Sequence, residues 1–154
     1  MESMYIESPQ NKHVKNLVKL RDRKHRNRQD KFTIEGLREI EHAIDADYPL
    51  NTLYYCTELF PSESHSILIE RLQTNSRLQL IRMHASAFSK SSYREGPDGL
   101  MALSEAKEMN LSTLELKEDS TLLILEGIEK PGNLGAIIRS AEGAGVDAIL
   151  LNNC

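Results

Sequence analysis

The run Thr121-Leu-Leu-Ile-Leu125, the segment Glu126-Gly-Ile-Glu-Lys-Pro-Gly-Asn-Leu-Gly-Ala-Ile-Ile-Arg-Ser-Ala-Glu-Gly-Ala-Gly145 and the run Asp147-Ala-Ile-Leu-Leu151 decide how the chain is read. The first and last pieces are nearly continuous apolar runs, the pattern of strands buried on both faces of a parallel sheet. Between them a Pro-Gly-Asn turn opens a helix of about ten residues, so the three pieces make a βαβ unit. Two buried parallel strands are not a stable sheet alone. Their outer neighbours are expected from residues the chain lacks, from its N-terminal part or from another molecule.

Working backwards, Ser104 to Asp119 is acidic and has little sustained apolar periodicity apart from Leu111, Leu114 and Leu116. It reads as a linker. Upstream of it, helical and strand patterns alternate. Ser8 is a candidate N-cap with Pro9 at the first helical position, and Val14, Leu17, Val18 and Leu20 give the apolar stripe of that helix. Arg21 to Asp30, almost without apolar residues, reads as helix end plus loop. Phe32-Thr-Ile34 is a short strand, and Leu37, Ile40, Ala43 and Ile44 mark a helix that closes near Asp47-Tyr-Pro49. Thr52 to Cys56 is a strand, Ser62 or Ser64 opens a helix through Leu72, and Leu78 to Met83 is a strand. A short helix covers Ala85 to Ser91, Gly96-Pro-Asp-Gly99 is a turn, and Leu100 to Leu103 closes the unit as a strand. Alternation of this kind predicts a three-layer α/β domain over residues 1–105, a linker over 106–119 and the βαβ segment over 120–154.

Composition narrows the function. The chain has 154 residues, 40% apolar and 27% charged, as ordinary globular domains do. No apolar run approaches the roughly 18 residues needed to span a bilayer, and Met1-Glu-Ser-Met-Tyr lacks the character of a signal peptide, so a cytoplasmic setting without a membrane is expected. Cys56 and Cys154 have neither CxxC spacing nor a nearby His pair, which predicts no zinc site and no disulfide framework. The five histidines share no common spacing and read as surface or packing residues.

The net charge of −4 hides a local excess. Lys12, Lys15, Lys19, Arg21, Arg23, Lys24, Arg26, Arg28 and Lys31 fall between Asn11 and Lys31 against only Asp22 and Asp30. That segment carries +7 and the remainder −11. A basic block on an acidic chain marks a polyanionic partner, because net charge alone would repel one. The alternative is a solvated helix face. Six basic residues between Lys19 and Arg28 are too many for one helix side to pair internally, which favours nucleic acid.

The loop after Leu125 departs from two nucleotide-binding patterns. Gly127 and Gly132 have P-loop spacing, but Asn133 and Leu134 stand where Lys and Ser/Thr belong, leaving no cation for the β- and γ-phosphates. The dinucleotide fingerprint fails as well, since Gly132 and Gly135 have no third glycine in place and no acidic residue follows at the ribose-binding distance. What the segment does match is the first motif of the SpoU (TrmH-like) RNA ribose 2′-O-methyltransferases. Pro131-Gly-Asn133, Gly135, Ala136, Arg139, Ala141 and Gly145 resemble it position for position. Upstream, Ile6, Ser8, Asn11, Val14-Lys15, Leu20, Phe32 and Glu35-Gly36 look like that family's N-terminal substrate-binding domain.

The resemblance implies a ribosomal-protein-like α/β domain that grips RNA, followed by the first βαβ unit of an incomplete α/β-knot methyltransferase domain. It implies S-adenosylmethionine-dependent methylation of a ribose 2′-hydroxyl in structured RNA, ribosomal RNA before transfer RNA, by a homodimer. Methyl transfer is an in-line displacement that needs the hydroxyl aligned and relieved of its proton. By the resemblance Arg139 orients that hydroxyl and Asn133 holds the loop and the Arg. Because a free guanidinium has a pKa above about 12, Arg139 is read as a phosphate clamp that polarises the hydroxyl, not as the base. A helix N-cap for Asn133, close helix–strand packing at Gly135 and a surface ion pair for Arg139 remain alternatives, as does a Glu126 pair with Lys130 or Arg139. The family's cofactor site lies in a knot built by two later motifs, so this chain is expected to lack the pocket and to be inactive alone. A non-catalytic RNA-binding module keeping a vestigial βαβ piece is the competing reading.

Overall fold

The computed structural model describes residues 4–107 and 110–153, which fall into two compact units, Met1–Glu108 and Met109–Cys154. Part of the expected linker, residues 108–109, and Cys154 lie outside the described residues.

In the first unit the order is β1 (Met4–Ile6), α1 (Lys12–Lys19), α2 (Arg23–Gln29), β2 (Lys31–Glu35), α3 (Leu37–Asp45), β3 (Leu50–Tyr55), α4 (Glu63–Leu72), β4 (Gln79–Met83), α5 (Ala85–Ser91) and β5 (Leu100–Glu105). The strands form one sheet in the order β1-β4-β3-β5-β2. β1, β4 and β3 run parallel, while β5 is antiparallel to both β3 and β2. Alternation along the strands divides the core in two. Tyr54, Cys56, Ile81, Met83, Met101 and Leu103 face Val14, Leu17 and Leu20 from α1 and its end, and Ala87 and Phe88 of α5. Leu53, Leu100 and Ala102 face Ile40 of α3 and Leu68, Ile69 and Leu72 of α4. The three-layer α/β reading is the architecture observed.

Four local expectations change. β1 was not foreseen: its three residues carry no readable period, and Met4 and Tyr5 are about half exposed on the edge of the sheet. The first helix begins at Lys12 instead of Pro9, because Ser8 closes a turn, its carbonyl and hydroxyl accepting from the Asn11 and Gln10 N–H groups. Asn11 is the true cap, its side chain accepting from His13 N–H at 2.9 Å. Arg21 to Asp30 is not mainly loop but holds α2, a helix with no buried residue.

The second unit contains β6 (Leu122–Glu126), α6 (Pro131–Gly143) and β7 (Ala148–Asn152), with a single 3₁₀ turn, Leu111–Thr113, before them. β6 and β7 pair in parallel, Leu122 opposite Ala148 through Glu126 opposite Asn152, and no third strand joins them among the described residues. Leu125 and Ala141 of α6 are buried, whereas Ile124, on the opposite face of β6 from Leu125, is 68% exposed. The helix ends in a Schellman arrangement: Gly145 at φ +72° lets the Val146 N–H reach the Ala141 carbonyl at 3.0 Å.

Candidate nucleic-acid interface

Helix geometry places the basic block. Val14 and Leu17 bury one side of α1, so Lys12, Lys15 and Lys19 stand on the exposed side. A corner at Leu20 to Asp22 turns the chain into α2, where Arg23, Lys24 and Arg28 are exposed and Arg26 is half-buried. Lys31, half-buried, opens the edge strand β2.

A helix of seven polar residues has no core to hold it, and its support is hydrogen bonding. Asp22 caps its start, accepting from Lys24 N–H at 2.8 Å. Gln29 Nε2 donates to Asn16 Oδ1 on α1 at 3.0 Å, and Asp30, in the left-handed conformation, ends it. Arg26 donates to the carbonyls of Leu20 and Arg21, satisfying acceptors at the end of α1. Arg21 in turn donates to the carbonyls of Lys90, in the last turn of α5, and of Ser92, just beyond it.

Two of the nine cations thus stitch the fold together. All nine lack a carboxylate partner within ion-pair distance: the described residues form such pairs only between Arg94 and Glu39 and between His65 and Asp98. The face therefore carries concentrated, uncompensated positive charge. Arg21 and Arg26 spend donors on main-chain carbonyls, whereas Lys12, Lys15, Lys19, Arg23, Lys24, Arg28 and Lys31 make no such side-chain bond among the described residues.

The motif loop of the second unit differs in detail from its sequence reading. Pro131 occupies the first helical position and Lys130 the cap, so Asn133 sits inside the first turn and is not the N-cap. Proline fixes the helical φ and needs no N–H partner there, which sets the start three residues earlier. Asn133 is exposed, and its side chain bonds neither the loop nor Arg139 among the described residues. Arg139 lies two residues from both Ile137 and Ala141, on the side of α6 opposite the packed stripe, exposed and without an ion pair. Its guanidinium folds back over Gly135: a Cβ there would meet Arg139 Nη1 at 3.5 Å and nothing else within contact range. That is ordinary van der Waals contact, so neither the Arg nor a strand requires glycine at 135. Glu126 does not pair with Lys130 or Arg139; its carboxylate accepts from Asn152 Nδ2 at 3.1 Å, across the strand pair.

Sequence reading missed one cluster. The Glu35 carboxylate accepts from Ser92 Oγ and Tyr93 N–H, both at 2.7 Å, and from Arg94 N–H at 3.3 Å. Glu35-Gly36 stood out as a motif, but its partner loop lies 57 residues further on, beyond the reach of local pattern.

The remaining titratable groups read as structural. Burial pushes the Cys56 thiol up, keeping it protonated and inert. Burial and the neighbouring Lys12 charge lower the His13 pKa, and His13 Nδ1 shares a 3.0 Å hydrogen bond with the Tyr54 hydroxyl. His65 is buried between Ser62 Oγ at 3.1 Å and Asp98 Oδ2 at 3.4 Å, tying the start of α4 to the turn before β5. No group of ligating side chains fit for a metal ion occurs among the described residues, and no helix there is long and apolar enough to cross a membrane.

Residues 11–102 match the MRM3-like substrate binding domain family. The 23S rRNA (guanosine(2553)-2′-O)-methyltransferase of Bacillus subtilis is 30% identical over 149 residues, which is 96% of this chain and 54% of that protein. A crystal structure of an RNA 2′-O ribose methyltransferase superposes with a TM-score of 0.78 at 36% identity, covering 96% of this chain and 55% of its own. The AdoMet-bound rRNA methyltransferase from Sinorhizobium meliloti gives a TM-score of 0.81 at 26% identity over 98% of this chain and 55% of that one. The chain thus spans about half the length of the relatives it matches.

Proposed function

The chain belongs to the SpoU/TrmH-like RNA methyltransferases through its MRM3-like substrate binding domain, and from that premise we propose a role in S-adenosylmethionine-dependent methylation of a ribose 2′-hydroxyl. The substrate is structured RNA, ribosomal RNA before transfer RNA, met in the cytoplasm by a homodimer. Residues 1–105 grip the RNA, 106–119 link, and 120–154 contribute the first motif of the methyltransferase domain. The observation that carries this reading is the α1–α2 face, nine cations against only Asp22 and Asp30, none of the nine ion-paired among the described residues. Such a face gains affinity by releasing counterions from phosphates.

In the reaction the methyl donor supplies the electrophilic carbon. Arg139, with exposed donors in a fixed fork, binds the phosphate beside the target ribose and polarises its hydroxyl. That orientation is its contribution, since a guanidinium at neutral pH has no lone pair to take the proton. Asn133, exposed in the first turn of α6, offers an amide to the same strand of RNA. Gly127, Glu129, Lys130, Gly132 and Asn133 form an open strip, not a chamber able to bury an adenosine. Cavities of about 270 and 470 Å³ are lined only by first-unit residues. These residues do not fit the donor, and none is assigned to it.

Mapping of 2′-O-methyl groups by alkaline hydrolysis, in RNA from cells with and without the gene, tests the reading. A methylated ribose cannot attack its own phosphodiester and leaves a gap in the ladder. One ribosomal RNA gap is expected to vanish and to stay absent when the Arg139→Ala protein is restored. Loss in transfer RNA alone would reverse the substrate order. An unchanged ladder would leave the non-catalytic RNA-binding module as the better reading.

A further inference from the structure

Tyr93 is 78% exposed, the most exposed of the large apolar and aromatic residues described. An aromatic ring in water is usually a packing remnant on a mobile loop, but the backbone beneath this one is fixed. Ser92 N–H donates to the Phe88 carbonyl at 2.9 Å and so closes α5. The next two N–H groups, of Tyr93 and Arg94, both donate to the Glu35 carboxylate, and Ser92 Oγ donates to it as well. Three successive residues are thereby anchored to a helix end and to an edge strand, and the tyrosine ring is what they present. The backbone entropy of ordering this segment has been spent in the fold, which lowers the cost of binding through the ring.

The surroundings are cationic. Arg21, from the basic corner between α1 and α2, places its guanidinium on the carbonyls of Lys90 and Ser92, within one peptide of Tyr93. Lys90 is exposed. Of the nearby carboxylates, Glu35 accepts three hydrogen bonds and Glu39 is paired with Arg94 at 2.8 Å, while Glu95 is exposed. An exposed aromatic on a fixed backbone, joined to a phosphate-attracting face, is a combination that binds unpaired nucleotides, the cations holding the backbone and the ring a base. Glu35-Gly36 has its explanation here too. At φ +104° Gly36 turns the chain so that Glu35 reaches the loop, and a Cβ would come within 2.7 Å of Arg94 Nη1 and of Glu39 Oε2.

We propose that Tyr93 is a stacking platform for an unpaired nucleobase of the RNA, so that the substrate domain recognises a single-stranded element beside a structured one. This rests on the RNA-binding reading above and extends it to the form of the RNA. The test titrates the 154-residue protein with a short oligoadenylate and, separately, with an RNA duplex of the same length. The wild type, Tyr93→Ala, Tyr93→Phe and the triple Arg23→Gln, Lys24→Gln, Arg28→Gln variant are compared at one salt concentration.

Tyr93→Ala is expected to weaken oligoadenylate binding roughly ten-fold and to leave duplex affinity within about two-fold, while Tyr93→Phe behaves as wild type. Equal losses on both probes would overturn stacking in favour of a general surface effect. No loss with Tyr93→Ala, while the triple variant does lose affinity, would overturn the platform and leave the RNA reading standing. Failure of the wild type to bind either probe would remove both.

Discussion

Arg26 Nη1 stands 2.7 Å from the main-chain carbonyl oxygen of Arg21, on the inside of the corner between α1 and α2. One cation of the basic block is therefore part of the scaffold that displays the others. Arg26→Ala is expected to lower stability by about 1–3 kcal/mol, because it leaves the Leu20 and Arg21 carbonyls short of a charged donor. Arg23→Ala, on an exposed side chain, should stay within about 0.5 kcal/mol. Urea unfolding of the two variants separates the roles.

Gly36 sits at φ +104° immediately after Glu35. The side-chain ends of Arg94 and Glu39 can move aside for a methyl group, but the backbone conformation cannot be relieved. Gly36→Ala is expected to cost about 1–3 kcal/mol, read as a lower urea midpoint with unchanged slope.

Tyr54 is buried at 3% exposure beside His13, and burial pushes its hydroxyl up to about 12 from 10.0. The folded state then keeps a proton that the unfolded state gives up. This component of stability is fully present below pH 10 and is lost as pH rises from 10 to about 12. At about 1.4 kcal/mol per unit the loss approaches about 2–3 kcal/mol. Stability measured across that window for wild type and Tyr54→Phe should show the steeper fall only in the wild type.

S-adenosylmethionine titrated calorimetrically into the 154-residue protein is expected to give no binding heat, since Gly127, Glu129, Lys130, Gly132 and Asn133 of the motif strip are exposed. One-to-one binding would place a cofactor pocket within these residues and overturn that assignment.

Elements with a core to face were legible from the residues. Ala85–Ser91 reads as a helix because Ala87 and Phe88 must be buried between flanking strands, and it is one. Leu100 to Leu103 reads as a strand for the same reason, although β5 runs on to Glu105. Apolar period says nothing where hydrogen bonds do the work. α2 has no buried residue, and its supports, Gln29 to Asn16 and Arg26 to Leu20, are side-chain contacts that no period encodes. The site was legible as a list of cations but not as a division of labour. That Arg21 and Arg26 spend their donors on carbonyls depends on where a corner folds, and that Glu35 holds Tyr93 depends on a contact far along the chain. As an N-cap, Asn133 lay three positions from the observed cap, Lys130, because Pro131 and not the amide starts the helix.

The affinity of the protein for a stem–loop RNA, followed across salt concentration, bears most directly on the basic face. Wild type should lose affinity steeply with salt. The triple Arg23→Gln, Lys24→Gln, Arg28→Gln variant should bind more weakly, with the log–log slope reduced by about 2–3, or roughly 0.9 per phosphate contact removed. Equal affinity and equal slope for the two proteins would show that the α1–α2 face is only solvated, and would contradict an RNA-gripping role for it.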